Sequence, residues 1–204
     1  MYWLEIITEA VAPLMSMSET LTVLNKLVDD GVIDTYALAG AVAAYCYIEP
    51  SLTEDLDVLI ALDKVGASGL LTLEPILSAL ESMGNTDFRH EGIVIGDWPV
   101  QFLPVTGELD TEALRTAQIT DVRFQGGVFK TRVLLPEYLV AKALEVGRPK
   151  DYTRIIQFVE DKAVDMNRLQ DLLQRFGLEQ KWQKFRRRMG ILQDDEDKEE
   201  GIDE

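Results

Sequence analysis

Residues 35–60 read TYALAGAVAAYCYIEPSLTEDLDVLI, and the rest of the chain is organised around them. A short apolar run at 36–39 meets Gly40, an alanine-rich segment fills 41–48, and Pro50-Ser51 makes a turn. Thr53, Asp55 and Asp57 then lead into an apolar run at 58–61. Apolar runs punctuated by glycine and proline, with a helix-compatible segment between them, predict strand, glycine turn, helix, loop and strand.

Each part of this unit has a chemical use. Side chains alternate faces along a strand, so Asp55 and Asp57 point the same way, about 6.5–7 Å apart along the backbone. Leu56, Val58 and Ile60 point the other way, towards a core. Two adjacent carboxylates repel, and a hard divalent ion such as Mg²⁺ suits them because it takes oxygen ligands and keeps waters and substrate phosphates. A helix starting just after Gly40 aims free backbone N–H groups at what lies in front of it, which favours phosphate. Acid-x-acid triplets are common in so acidic a chain, and Glu108-Leu109-Asp110 is assigned no role. The order of glycine turn, helix, Thr-x-Asp-x-Asp and apolar strand is much rarer.

That order resembles the nucleotidyltransferase superfold, in particular the minimal nucleotidyltransferases and the AbiEii-like toxin group. The family's first motif is a hydrophobic strand, Gly followed by Gly or Ser, a helix, and T-x-D-h-D at the head of the next strand. Gly40, Thr53, Asp55 and Asp57 match it, whereas Ala41 departs from it. A second stretch, Pro136-Glu137-Tyr138-Leu139 through Lys142-Ala143-Leu144, Gly147, Arg148, Lys150 and Asp151, resembles the second signature of the AbiEii-like group. The resemblance covers most of residues 18–160. It implies an α+β fold, a mixed β-sheet flanked by helices with a C-terminal helical region. It also implies Mg²⁺ or Mn²⁺ on Asp55 and Asp57. Gly40, Ala41, Thr53, Lys142, Arg148, Lys150 and Asp151 would line the nucleotide side of the cleft.

The family's third acid is expected on a neighbouring strand, where the matching stretch is Pro99-Val100-Gln101-Phe102-Leu103 and Gln101 takes the place. Glutamine offers a carbonyl oxygen or an amide but cannot act as a general base. Three readings stay open: the two aspartates hold a metal with help from substrate phosphates, the site has lost catalysis and kept binding, or Asp97 or Glu91 supplies the acid. Lys142 sits among Leu139, Val140, Ala143 and Leu144, where a lysine either snorkels to solvent or meets a partner. As a cation near the aspartates it would bind triphosphate. Arg148 and Lys150 also read as a solvated turn, and Asp151 as a helix cap.

Composition bounds the rest. At 204 residues and 47% hydrophobic content, the chain can bury a substantial core. No apolar run is long enough to span a membrane, and MYWLEIITEA has no basic leader region, so a cytoplasmic protein is expected. One cysteine, Cys46, excludes an intramolecular disulfide framework, and one histidine, His90, has no triad motif around it. The net charge is −16; residues 193–204 hold eight acids and one lysine, and without them it is −9. Such a surface repels nucleic acid except at a local basic patch; Lys181, Lys184 and residues 186–188 form a basic cluster that reads either as a partner or RNA contact or as a solvated face neutralised by the acidic tail.

Along the chain, Ser16 to Glu19 reads as a capping box for a helix with stripe Leu21, Leu24, Leu27 and Val28, stopped by Gly31. Helices are expected at 71–83, 110–117, 136–146 and 149–159, with two more within 165–189; strands are expected at 88–90, 92–95 and 99–105, and a hairpin at 121–134. Residues 1–134 are taken as the α/β core with its N-terminal helix, 135–192 as helices packed on it, and 193–204 as a disordered acidic tail. The expected activity is metal-dependent transfer of NMP from an NTP to an RNA, protein or small-molecule hydroxyl, including toxin-type transfer with a cognate antitoxin. The alternative is a degenerate member acting as a nucleotide- or protein-binding module. No membrane partner is expected, and a homo-oligomer is left open.

Overall fold

A computed structural model of the chain describes residues 17–61, 72–124 and 127–190. Ser16, the loop at 63–69, Leu71, Gly126 and the acidic tail at 193–204, all read above from sequence, lie outside the described residues. The first helix among the described residues, α1 (Met17–Asp29), buries Met17, Leu21, Leu24 and Leu27, and Gly31 follows it at φ +66°. That spacing gives one apolar stripe on a 3.6-residue period, and the left-handed glycine ends it. Next come β1 (Tyr36–Leu38), α2 (Gly40–Ala44), β2 (Leu56–Ile60), α3 (Glu74–Ser82), β3 (Phe88–Arg89), β4 (Gly92–Ile95) and β5 (Trp98–Pro104). The chain continues through α4 (Glu108–Thr116), the hairpin β6 (Gln118–Phe124) and β7 (Gly127–Val133), then α5 (Pro136–Val146), α6 (Pro149–Glu160), α7 (Met166–Arg175) and α8 (Glu179–Met189).

The described strands make one seven-stranded sheet in the order β3-β4-β5-β2-β1-β7-β6. It is mixed: β2 runs parallel to β5 and β1 to β7, while the other pairs are antiparallel. Helix α1 packs on β4 and β7, α2 and α4 pack on β2, and α5 packs on α2, α6, α7 and α8. This is the expected mixed sheet flanked by helices, ending in a helical region. Because helices cover both faces, the central strands are buried on both: Tyr36, Ala37 and Leu38 in β1, and Val58, Leu59 and Ile60 in β2. The alternation expected for β2 therefore holds only at its entry. Leu59 follows Asp57 on the same face and is 2% exposed, so that face is open at Asp57 and sealed one pleat later.

Boundaries follow local chemistry. Pro136 and Pro149 each stand in the first turn of their helix, and Gly147 at φ +72° closes α5. Asp165 caps α7 by accepting from the N–H groups of Asn167 and Arg168 at 2.9 and 3.2 Å. The helix expected over 41–48 is shorter: α2 ends at Ala44, and the chain then turns with Tyr47 Oη donating to the Leu134 carbonyl at 3.1 Å and Tyr45 to the Ser51 carbonyl. Both tyrosines tie the segment to non-helical backbone, and Pro50 opposes further helix.

Candidate active site

The junction of β1 and α2 faces the head of β2, and Gly40 sets the distance between them. Its φ is +60°, a left-handed conformation that glycine adopts without cost. A Cβ placed there would lie 1.8 Å from Asp57 Oδ2 and 2.7 Å from Asp57 Cγ. The glycine is thus the bed on which the Asp57 carboxylate lies. The Ala39 N–H donates to the Asp57 carbonyl at 2.9 Å, which locks the two backbones in register. Thr53 Oγ1 donates to Asp55 Oδ1 at 2.9 Å, orienting the second carboxylate. Burial pushes the Asp57 carboxyl above the usual aspartate range, the charge of Asp55 pushes it the same way, and Arg148, Arg154 and Lys150 pull it back. A pair held this way gains from any cation placed between it and the solvent.

Gln101 lies on β5 directly opposite Asp57 in the parallel register. Its Nε2 donates to Glu91 Oε2 at 3.0 Å, bringing a carboxylate from the β3–β4 turn to the edge of the same site. That turn contains His90 at φ +54°, whose Nε2 lies 3.4 Å from Glu54 Oε2. Asp97 stands exposed in the β4–β5 turn, four residues ahead of Gln101. Of the two acids considered for the third position, Glu91 is the one that contacts Gln101. Among the described residues no cluster of three or more His, Cys, Asp or Glu side chains is placed to hold a metal. Two aspartates and substrate oxygens remain a sufficient donor set for an ion that keeps waters and phosphates.

The opposite wall is basic and comes from α5 and α6. Arg148 donates from Nε and Nη2 to the two oxygens of Asp151 at 2.8 and 3.1 Å, and its N–H donates to Oδ2 at 3.1 Å. Asp151 is 1% exposed, so it caps α6 and fixes the guanidinium at once. Arg154 lies one turn further along α6, with Nη1 3.8 Å from Asp151 Oδ1 and its buried Nε without a hydrogen-bond acceptor. Lys142 reaches the cleft, but its ammonium is 2.5 Å from Asp110 Oδ1 and 3.0 Å from Glu145 Oε2. Its charge goes to the buried Asp110, not to Asp55 or Asp57. Burial alone would raise the Asp110 carboxyl, but Lys142 and the two hydrogen bonds from Thr106 outweigh it and hold it below the usual range.

Gly40, Asp57, Gln101, Lys142, Arg148 and Asp151 line one cavity of about 220 Å³. Thr53, Asp55 and Lys150 line a neighbouring one of about 430 Å³, and Arg154 is common to both. Ala41 is buried and lines neither cavity. Helix α2 spans five residues and carries no side-chain cap. Sequence reasoning missed Arg154 and Asp110. Arg154 carried a signal: it falls on the stripe Asp151, Arg154, Ile155 and Phe158, where an arginine beside apolar residues marks an inward-facing cation. Asp110 had none, because its partner is 32 positions away. Cys46 is half-buried, and burial raises its thiol to about 11, so it is unreactive. No helix among the described residues is long and apolar enough to cross a membrane.

No protein-family model matches the chain, and comparison with curated proteins finds no match. Among solved structures, the chain is similar to an antigenic nucleotidyltransferase-like protein from Paracoccidioides brasiliensis, with a TM-score of 0.43 and 18% identity over 78% of this chain and 87% of that one. It is also similar to the antibiotic-resistance factor ANT(2'')-Ia in solution, with a TM-score of 0.47 and 14% identity over 87% of this chain and 100% of that one.

Proposed function

We propose that the chain is a metal-dependent nucleotidyltransferase, moving a nucleoside monophosphate from an NTP to a hydroxyl group of an RNA, a protein or a small molecule. One observation carries this reading: Asp57 rests on Gly40 at the floor of a cleft whose other wall holds Arg148 and Arg154. Carboxylates facing guanidiniums across an open gap suit a ligand that brings its own cation and its own negative charge.

Asp55 and Asp57 would hold Mg²⁺ or Mn²⁺, which when bound supplies charge neutralisation at the transferred phosphate. Arg148, Lys150 and Arg154 bind the polyphosphate, and Asp151 keeps the Arg148 fork oriented. In the transfer, a bond forms between the acceptor oxygen and the α-phosphorus, the bond to the bridging oxygen breaks, and pyrophosphate leaves. Gln101 cannot take the acceptor's proton, but Glu91, hydrogen-bonded to it at 3.0 Å, can. Toxin-type transfer to RNA or protein, held in check by an antitoxin, is the biological form this reading favours.

The test is label transfer from α-labelled NTPs to the protein itself, to total RNA and to a mixed protein fraction. Asp57→Asn lowers transfer by a factor on the order of 10² or more, and Glu91→Gln lowers it less while changing its pH dependence. A second reading, a nucleotide-binding module without transfer, draws on the neutral Gln101 beside the aspartates. Nucleotide binding with no transfer to any acceptor, indifferent to Glu91→Gln, would select that module.

A further inference from the structure

The cleft's basic wall does not end at α6. Arg188, in the last turn of α8, lies over the Tyr152 ring with its guanidinium carbon 5.7 Å from the centroid. Tyr152 packs on Phe185 of α8 at 5.4 Å, and Lys181 Nζ donates to the Glu145 carbonyl at 2.7 Å. Lys181, Lys184 and Arg188 fall on one side of α8, at spacings that return to the same face. Arg148, the N-cap of α6, precedes Tyr152 by four residues. The result is a strip in which Tyr152 is flanked by Arg148 and Arg188, with Lys181 and Lys184 at its borders.

A folded surface this basic is unusual in a chain of net charge −16. The chain leaves the strip at Gly190, and residues 193–204 follow with eight acids and one lysine. From Met189 to Asp194 an extended chain reaches at most about 17 Å. We propose that the strip is the docking surface for the chain's own acidic segment, residues 193–204. The segment's charge of −7 is opposite in sign to the strip, and its tether supplies the concentration. This goes beyond the nucleotidyltransferase reading and does not require it: docking is the same whatever the cleft binds.

The test is a protein ending at residue 192, followed by amide NMR as a synthetic peptide of residues 193–204 is added. Shifts concentrated at residues 148–152 and 181–188 are expected. The same amides should already differ between the full chain and the truncated one. Lys184→Glu with Arg188→Glu should weaken the peptide by roughly tenfold or more, and molar salt should abolish it. Absence of shifts, or shifts placed elsewhere, overturns the proposal. So does equal binding of a short single-stranded RNA to the strip in the full and truncated chains, which would show the strip to be open for nucleic acid. None of these readouts uses nucleotide or transfer activity, so failure here leaves the proposed function standing, and the reverse holds too.

Discussion

Replacing Gly40 by alanine should do two separable things. The first is backbone strain: φ at Gly40 is +60°, and an L-residue held there costs roughly 1–2 kcal/mol. The second is collision: the new methyl would sit 1.8 Å from Asp57 Oδ2, far inside contact distance. The carboxylate must swing away, at roughly 0.5–1.5 kcal/mol for a side chain forced off its rotamer. Together these predict a loss of about 2–3 kcal/mol, or about 4–12 °C in Tm for a chain of this size. Calorimetry or thermal circular dichroism measures it, and titration of Mg²⁺ should show at least tenfold weaker binding, because Asp57 no longer lies beside Asp55. The double variant Gly40→Ala with Asp57→Ala isolates the collision. Without Oδ2 and Cγ only the strain and a 3.0 Å approach to Cβ remain, so the double variant should be less destabilised than the sum of the singles by about 1 kcal/mol. If Gly40→Ala is neutral, or the two losses simply add, the glycine is not the bed for the aspartate and the site geometry is misread.

Asp57→Asn should lower the proposed transfer by a factor on the order of 10² or more, yet stabilise the free protein at neutral pH. Burial and Asp55 raise the Asp57 carboxyl, so the wild type loses stability as pH rises from the ordinary aspartate range through the raised folded value, and the variant escapes that loss. Melting scans against pH check the sign, and added Mg²⁺ should narrow the gap. Lys142→Met should cost about 2–3 kcal/mol by stranding Asp110, which is 4% exposed, and Lys142→Met with Asp110→Asn should recover much of it. Asp110 is held low in the wild type, so its contribution is present above the ordinary aspartate range and lost as pH falls through the folded value; in Lys142→Met, with burial less opposed, that loss on acidification should shrink, read by acid titration of Tm. Glu112→Gln should cost about 1 kcal/mol, discounted for the exposed partner Arg175, whose Nη1 and Nη2 both donate to Glu112 at 2.9 Å. The hydrogen bonds from Arg175 and then Tyr138 lower the Glu112 carboxyl to about 2, so its benefit should hold at neutral pH and fade as pH drops towards that value, which chemical denaturation in acid and neutral buffer will show.

Much of the fold was legible because it is written in neighbours. Strand, glycine, helix and Thr-x-Asp-x-Asp each depend on residues a few positions apart, and so do Pro136 and Pro149 at helix starts and Gly147 at a helix end. Those preferences act through the local backbone, and the chain carries them unaided to the right elements. Where a helix stops in the face of competing partners was less legible: α2 ends early because Tyr47 binds a carbonyl 87 residues away. The pairing of charges was not legible at all. That Lys142 answers Asp110, that Gln101 holds Glu91, and that Arg154 looks across at Asp57 depend on β5 lying beside β2 and on α6 covering one face of the sheet. Sequence determined which elements form and put two aspartates two positions apart at the head of one strand, although β2 begins at Leu56 and so holds only Asp57. Only tertiary structure decided which charge each aspartate meets, because a charge pair is settled by the packing of whole elements, whose energy is spread across the buried core, and not by any residue's near neighbours.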